Sequence, residues 1–363
     1  MTKKIALFLA KIVLHIAYLI LYLLRFTKRE KFEFLQGEID LKLDEEKIDE
    51  ERLFIIDDDI GMNREGVWEK GHYWLDFLKI TDPDGGLELI YALREPNIRI
   101  LGVTIMMGVA STDVCVKAAR NIMKVLGIHN VPVLKGAESH RDLGKQTEAS
   151  RFIVDMCKKY PGRVEIIATG PLTNIATALM MEPKLPEYWK TLHFATGEFR
   201  GKLGVKSDLY MPILFGVQEL NTNVDYKATE YVLKHGGSFP IYPNEIMDDV
   251  IVSGTDYKRI KASKSNLAKF LTYEMKITNL VFSYFIPLSR GLVTHGLIPT
   301  AIALDSSYKS ETLESAVKMR GYGYQGYTFI LSEDPELPPH KIHIKLEKKS
   351  AQRMQKTLIK RLL

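Results

Sequence analysis

Cysteine is scarce in this chain of 363 residues, which has only Cys115 and Cys157. Each falls in a segment whose periodicity predicts a helix, so both read as reduced packing residues, and no spacing fits a zinc site. A chain this long buries a sizeable core without disulfide staples, as one large α/β domain or two smaller ones. Excess charge is lacking too. The net value is +5, and the basic residues are spread over the termini and surface helices rather than gathered with aromatics, which argues against nucleic acid as a partner. No internal repeat and no low-complexity tract is present.

One long apolar run exists, at the N-terminus. Ile5 to Leu24 is about the length that spans a bilayer as a helix, flanked by Lys3 and Lys4 before it and by Arg25, Lys28 and Arg29 after it. The leading expectation is a single-pass membrane anchor over residues 1–25, with an interfacial helix or a targeting sequence as the other readings. Lys11 and His15 lie inside the run, and a lysine near the bilayer centre costs roughly 2.5 kcal/mol unless it snorkels. No small-residue cleavage site follows, against a removed signal peptide. Charge on both flanks leaves orientation open, as the sequence leaves the organelle. Residues 26–50 read as a linker, 51–346 as the folded body and 347–363 as a basic C-terminal helix, most simply a solvated one. If the anchor is present, that helix gains attraction to anionic lipid as a second role.

Apolar strands alternate with amphipathic helices through the body. Strands are predicted at Arg99 to Ile105, Val131 to Leu134, Arg163 to Ala168, Thr191 to Ala195 and Phe239 to Tyr242. Helices are predicted at Asp113 to Leu126, Ser150 to Lys159, Leu172 to Met181, Tyr226 to His235 and Ser265 to Phe285. Strand-like segments at Tyr324 to Leu331 and Lys341 to Leu346 precede a last helix, Ala351 to Leu362. This alternation predicts an α/β fold with a mainly parallel central sheet and helices on both faces.

The chemistry-bearing feature is the acidic triplet Asp57, Asp58 and Asp59, placed straight after the apolar run Leu53-Phe54-Ile55-Ile56. A buried strand ending in acids delivers them to the carboxyl edge of a sheet, where open α/β folds place ligands. A second acidic turn, Asp82-Pro83-Asp84-Gly85-Gly86, opens a helical stretch from Leu87, and the two turns could converge on one pocket. Alone, such a triplet is more commonly an Asx-type turn or a helix cap.

The segment Ile166-Ile167-Ala168-Thr169-Gly170-Pro171-Leu172-Thr173-Asn174-Ile175-Ala176 shifts that balance towards a site. It resembles the strand-turn-helix signature of the inosine- and uridine-preferring nucleoside hydrolases. Gly170 allows a sharp turn, Pro171 suits a first helical position, and the Thr169 carbonyl at the strand end is a hard-cation donor. The order of features from Ile55 to His295 is similar as well, and the resemblance covers roughly residues 52–310. It implies hydrolysis of the N-glycosidic bond of a ribonucleoside or related ribosyl compound, assisted by Ca2+, and a homo-oligomer. Carried over by position, Asp59 is metal ligand and general base, Thr169 gives its carbonyl, and Asp84 holds ribose. Glu219 and Asn221 bind sugar hydroxyls, and His295 faces the leaving base.

The sequence departs from the family pattern at the chemistry itself. The family motif Asp-Thr-Asp-Pro-Gly-x-Asp-Asp is split here by an insertion, Met62 to about Thr81, and its last aspartate, a metal ligand, is replaced by Gly85. In the alternative register Asp84 is the metal ligand and Asp82 the sugar contact. The late family motif His-Asp-Pro-Leu-Ala reads His295-Gly296-Leu297-Ile298-Pro299, without the calcium-binding aspartate, and Gly108-Val109 stands for the usual Gly-Asn. Asp58, Asp82 and the insertion's Glu65, Glu69 and Asp76 are the acids available to compensate. Trp68, His72, Tyr73 and Trp74 make the insertion either a lid or a packed surface loop. The sequence therefore leaves two functional expectations, a metal-assisted hydrolase and a catalytically degenerate homologue that binds a nucleoside-like ligand or serves as an interaction module. A structural membrane protein with an empty pocket is a third.

Overall fold

Strand β1 (Arg52–Asp58) turns Phe54 and Ile56 into one apolar cluster and Ile55 into another on the opposite face. Burial on both faces is why its sequence reads as a continuous apolar run, and it marks the interior of a parallel sheet. The structure, a computed structural model, describes residues 51–63, 81–199, 219–247, 249–280, 291–321 and 326–363. After β1 come α1 (Asp84–Leu93), β2 (Ile98–Ile105), α2 (Thr112–Leu126), β3 (Val133–Lys135), α3 (Glu148–Lys159), β4 (Val164–Ala168), α4 (Thr173–Met181), α5 (Leu185–Tyr188) and β5 (Trp189–Phe194). The second half contains α6 (Leu220–Val224), α7 (Tyr226–His235), β6 (Pro240–Ile241), α8 (Asn244–Met247), β7 (Ile251–Val252), α9 (Gly254–Ala262), α10 (Asn266–Glu274) and α11 (Lys276–Leu280). It ends with β8 (Leu292–Val293), α12 (Leu297–Leu304), β9 (Ser310–Gly321), β10 (Tyr327–Ser332), β11 (Pro339–Leu346) and α13 (Lys348–Leu362).

Among the described residues, nine strands form one sheet in the order β10-β9-β11-β6-β5-β4-β1-β2-β3. Pairing is parallel from β3 through to β11, and only β9 runs against its two neighbours. This is the expected α/β architecture with an antiparallel extension at one edge. The chain builds outward from β1 through β2 to β3, then returns to lay β4 on the other side of β1. Strand order thus reverses between β1 and β4, and a crevice opens at the carboxyl ends of those two strands. The acidic triplet and Thr169-Gly170 sit there.

Local signals set most boundaries. Helix α2 starts after Ser111 and stops at Gly127, whose left-handed φ of 69° closes it. Helix α3 starts on a reciprocal cap between Thr147 and Ser150. The single helix expected from Ser265 to Phe285 is instead broken at Met275 into α10 and α11, and residues beyond 280 in that stretch lie outside the described ones. Strand β9 was not anticipated, because most of its residues remain at least partly exposed and its apolar alternation is weak.

The basic C-terminal helix is docked, not free. Met354, Leu358, Ile359 and Leu362 of α13 form one buried stripe. Arg361 lies over the Tyr91 ring of α1 at 3.9 Å and donates to the Tyr91 carbonyl at 2.7 Å. The lysines occupy the other faces.

The expected membrane anchor requires correction. Among the described residues no helix is long and apolar enough to cross a membrane. The longest, α2 and α13, have 15 residues each; at about 1.5 Å per residue they fall short of a ~30 Å hydrocarbon core, and both are amphipathic. Single-pass localisation and membrane association through the N-terminal segment are therefore not supported. Residues 1–50, on which those expectations rest, lie outside the described residues, as does the insertion from 64 to 80.

Candidate functional site

Asp57 anchors the floor of the site. Its Oδ1 accepts hydrogen bonds from the Thr104 hydroxyl of β2 at 2.6 Å and from the Asn174 amide of α4 at 2.9 Å. Asn174 in turn accepts from the Ala137 N–H at 3.0 Å, and the neighbouring Thr173 hydroxyl donates to Asp225 at 2.7 Å. The Thr-Asn pair of the signature segment is thus a brace that ties the start of α4 to the end of β1, to the loop after β3 and to the start of α7. Burial pushes the Asp57 carboxyl up to about 7 in spite of its two donors.

The next two acids face a cavity of about 130 Å³, into which Asp82, Asp84, Glu88, Thr169, Glu219, Asn221 and His295 also project. The cavity draws on strand ends, on the start of α1 and on the turn between β8 and α12, so residues more than 200 positions apart meet in it. Asp59 accepts from the Val109 N–H at 2.7 Å. Burial, opposed by that bond and reinforced by the charge of Asp84, pushes Asp59 up to about 7. The Asp84 carboxylate lies 3.4 Å from His295 Nδ1. Burial works against its charge, but the His295 hydrogen bond and charge outweigh it and hold Asp84 below the ordinary carboxylate range.

The structure therefore brings together Asp59, Asp82, Asp84, Thr169, Glu219, Asn221 and His295, all singled out from sequence. Asp82 is the exposed member, at the rim. Glu219 and the Thr169 carbonyl are engaged with the start of α6. Glu219 caps α6, accepting from the Asn221 and Thr222 N–H groups at 2.8 Å each and from the Thr196 hydroxyl at 3.0 Å. The Thr169 carbonyl accepts from the Asn221 side chain at 2.6 Å; a carbonyl has a second lone pair, so it keeps one acceptor direction.

Glu88 was missed by sequence reasoning. It lies one helical turn after Asp84, on the same face of α1, and is fully buried. Its Oε1 accepts from the hydroxyls of Thr300, at 2.6 Å, and Thr169, at 3.2 Å. Burial, only partly offset by the Thr300 bond, holds its carboxyl well above the ordinary range. Burial and then the Glu88 charge do the same at Asp58. Among the described residues, Asp58 Oδ2 and Glu88 Oε2 are buried without a hydrogen-bond partner. The available signal was the i, i+4 spacing from Asp84, which in a single sequence looks like an ordinary helical glutamate.

As the side chains stand, no group of three or more His, Cys, Asp or Glu among the described residues is arranged to hold a metal ion. The acids are distributed around the cavity wall. The donor chemistry nevertheless suits a hard cation, with carboxylates, a strand-end carbonyl and two partnerless buried oxygens, and no lysine or arginine among the lining residues.

Comparison with known proteins agrees with this fold. A sequence profile described as inosine-uridine preferring nucleoside hydrolase matches residues 80–356. The match begins at the end of the insertion, so β1 and its acidic triplet lie outside it. A probable uridine nucleosidase 2 of Arabidopsis thaliana is 24% identical over 235 residues, which are 56% of this chain and 69% of the relative. A probable uridine nucleosidase 1 of rice (Oryza sativa subsp. japonica) is 26% identical over 219 residues, covering 53% and 65%. Among solved structures, a plant nucleoside hydrolase superposes with a TM-score of 0.67 at 19% identity, over 86% of this chain and 98% of that one. A purine-preferring ribonucleoside hydrolase from Gardnerella vaginalis gives 0.67 at 18% identity over the same shares. At those identities the structures speak to the fold alone, but the profile spans most of the chain and includes the signature segment. On these grounds the chain belongs to the inosine-uridine preferring nucleoside hydrolase family.

Proposed function

We propose that this protein hydrolyses the N-glycosidic bond of a ribonucleoside or a related ribosyl compound, with Ca2+ as its cofactor. The observation that carries the reading is the meeting of Asp59, Asp84, Thr169 and His295 in one pocket at the reversal point of the sheet, in a chain of this family. A hard divalent cation, when bound, polarises a water and fixes the sugar hydroxyls. Asp59, Asp84 and the Thr169 carbonyl are the groups that would hold it.

Asp59 takes the proton of the attacking water, as its buried position beside the Val109 amide holds the carboxylate in one orientation. The water oxygen bonds to the anomeric carbon while the carbon–nitrogen bond breaks and its electron pair leaves with the base. The crowd of carboxylates stabilises the positive sugar-like transition state. With Asp84 on the cation, Asp82 binds ribose hydroxyls, a role that passes to Asp84 in the other register, and Asn221 offers a further amide. Glu219 acts by capping α6, holding Asn221 in place. His295, held 3.4 Å from Asp84, supplies the departing base with a proton.

The test is release of free base from a panel of purine and pyrimidine ribonucleosides by the full chain with calcium supplied. Base release that falls by about 10²-fold or more in Asp59→Asn, with the melting temperature kept, is the expected result. No release from any member of the panel would leave the degenerate homologue as the better reading, and retained activity in the variant would remove Asp59 as the base.

A further inference from the structure

The two glycines that stand where the family carries metal-binding aspartates are each backed by a carboxylate from elsewhere in the chain. A Cβ built on Gly85 would lie 2.4 Å from Asp58 Oδ2, and one built on Gly296 would lie 1.7 Å from Glu88 Oε2. Either contact is closer than atoms can approach, so Asp58 and Glu88 fill the volume that side chains at 85 and 296 would otherwise enter. The same two oxygens, Asp58 Oδ2 and Glu88 Oε2, are buried without a hydrogen-bond partner, and among the described carboxylates lining the cavity they alone are so. Asp58 is 3% exposed and Glu88 0%.

We propose that Asp58 and Glu88 supply, from new backbone positions, the two carboxylates absent at 85 and 296, and so complete a divalent-cation site with Asp59, Asp84 and the Thr169 carbonyl. The inference deepens the hydrolase reading by assigning its ligands, but stands on ion binding and not on turnover.

Geometry and charge both favour the exchange. A ligand at 296 would reach the cavity on a short aspartate from the N-terminal end of α12. Glu88 reaches the same volume from the interior of α1 on a side chain one methylene longer, guided by the Thr300 and Thr169 hydroxyls on its other oxygen. Asp58 sits next to Asp59 at the end of β1 and is oriented by the Asp59 N–H, which donates to its Oδ1 at 2.8 Å and leaves Oδ2 beside Gly85 in the cavity lining. Six acids line that cavity against one histidine. A buried carboxylate without a partner is costly, so such a set needs a cation or a shared proton population to balance it. Calcium accepts roughly 6 to 8 oxygens in flexible geometry, which suits acids spread around a wall and gathered by the ion.

The experiment uses the full chain stripped with chelator, and titrates calcium alone, then magnesium alone, by calorimetry and by thermal unfolding. Calcium is expected to raise the melting temperature of the wild type. Asp58→Asn and Glu88→Gln are each expected to weaken calcium binding at least about tenfold, since calcium affinity follows the count of charged ligands. The exchange variants Asp58→Thr/Gly85→Asp and Glu88→Ala/Gly296→Asp restore carboxylates at the family positions and are expected to bind within a few-fold of wild type. They keep the test decisive should a single variant fold poorly. No calcium response in the wild type, or unchanged binding in both single variants, would overturn the proposal. Base release without calcium binding would sink this assignment and the calcium in the hydrolase reading, while leaving the hydrolysis itself standing. Calcium binding that depends on Asp58 and Glu88 without base release would uphold it and sink only the hydrolysis.

Discussion

Asn174→Ala tests whether the signature segment is a structural brace. The Asn174 side chain makes two buried hydrogen bonds, to Asp57 Oδ1 at 2.9 Å and from the Ala137 N–H at 3.0 Å, and it is 1% exposed. Truncation leaves the Ala137 N–H buried without an acceptor, at about 1–3 kcal/mol, and removes one of two donors from a buried carboxyl, at about 1.5–3 kcal/mol. The expected loss is about 4 kcal/mol, a large share of the roughly 5–15 kcal/mol that holds a domain folded. Urea unfolding of the wild type and the variant measures it, provided the m-values agree. Asn174→Asp keeps the acceptor for Ala137 but sets a second carboxyl against Asp57. Burial already pushes Asp57 up to about 7 and loss of the Asn174 donor raises it further, so that variant is expected to lose stability relative to wild type as pH rises through neutrality. A loss below about 1 kcal/mol in Asn174→Ala, with unchanged m, would refute the brace.

Two further outcomes follow from the packing. Glu165 receives hydrogen bonds from Arg52, Lys190 and His193, and these outweigh its burial to bring its pKa from 4.5 down to about 2. A depressed folded pKa contributes stability that is present above 4.5 and lost as pH falls through 2. The shift bounds the effect at about 3 kcal/mol, and screening of the half-exposed Arg52 and Lys190 reduces it to about 1–2 kcal/mol. The advantage of wild type over Glu165→Gln in chemical denaturation should therefore vanish near pH 2; an advantage constant with pH would contradict the assignment. Met354→Ala in the basic C-terminal helix removes a fully buried side chain and should cost about 2–5 kcal/mol, whereas a free solvated helix would register almost nothing in the same assay.

Helix α7 and strand β4 fall within a residue of their sequence-based bounds, because both are written in short-range periodicity and in turn residues. The acidic end of β1 was legible for the same reason. Strand β9 was not, since it is stabilised by pairing with β10 and β11 and not by its own apolar pattern. The signature segment pointed to the pocket that Thr169 lines, but the contacts of its residues are tertiary. Asn174 braces Asp57, and Glu219, expected on a sugar, spends its oxygens on the start of α6.

The sequence by itself determined the alternation that makes a parallel α/β sheet, the acids at its carboxyl edge and the two glycines that break the family pattern. Only the tertiary structure decided that Glu88 belongs to the site and that Asp58 and Glu88 occupy the volumes beside those glycines. A side chain's neighbours across a sheet's reversal point depend on which strands lie side by side, and that order is settled by pairing between distant segments, as Leu53 of β1 with Val164 of β4, not by local sequence.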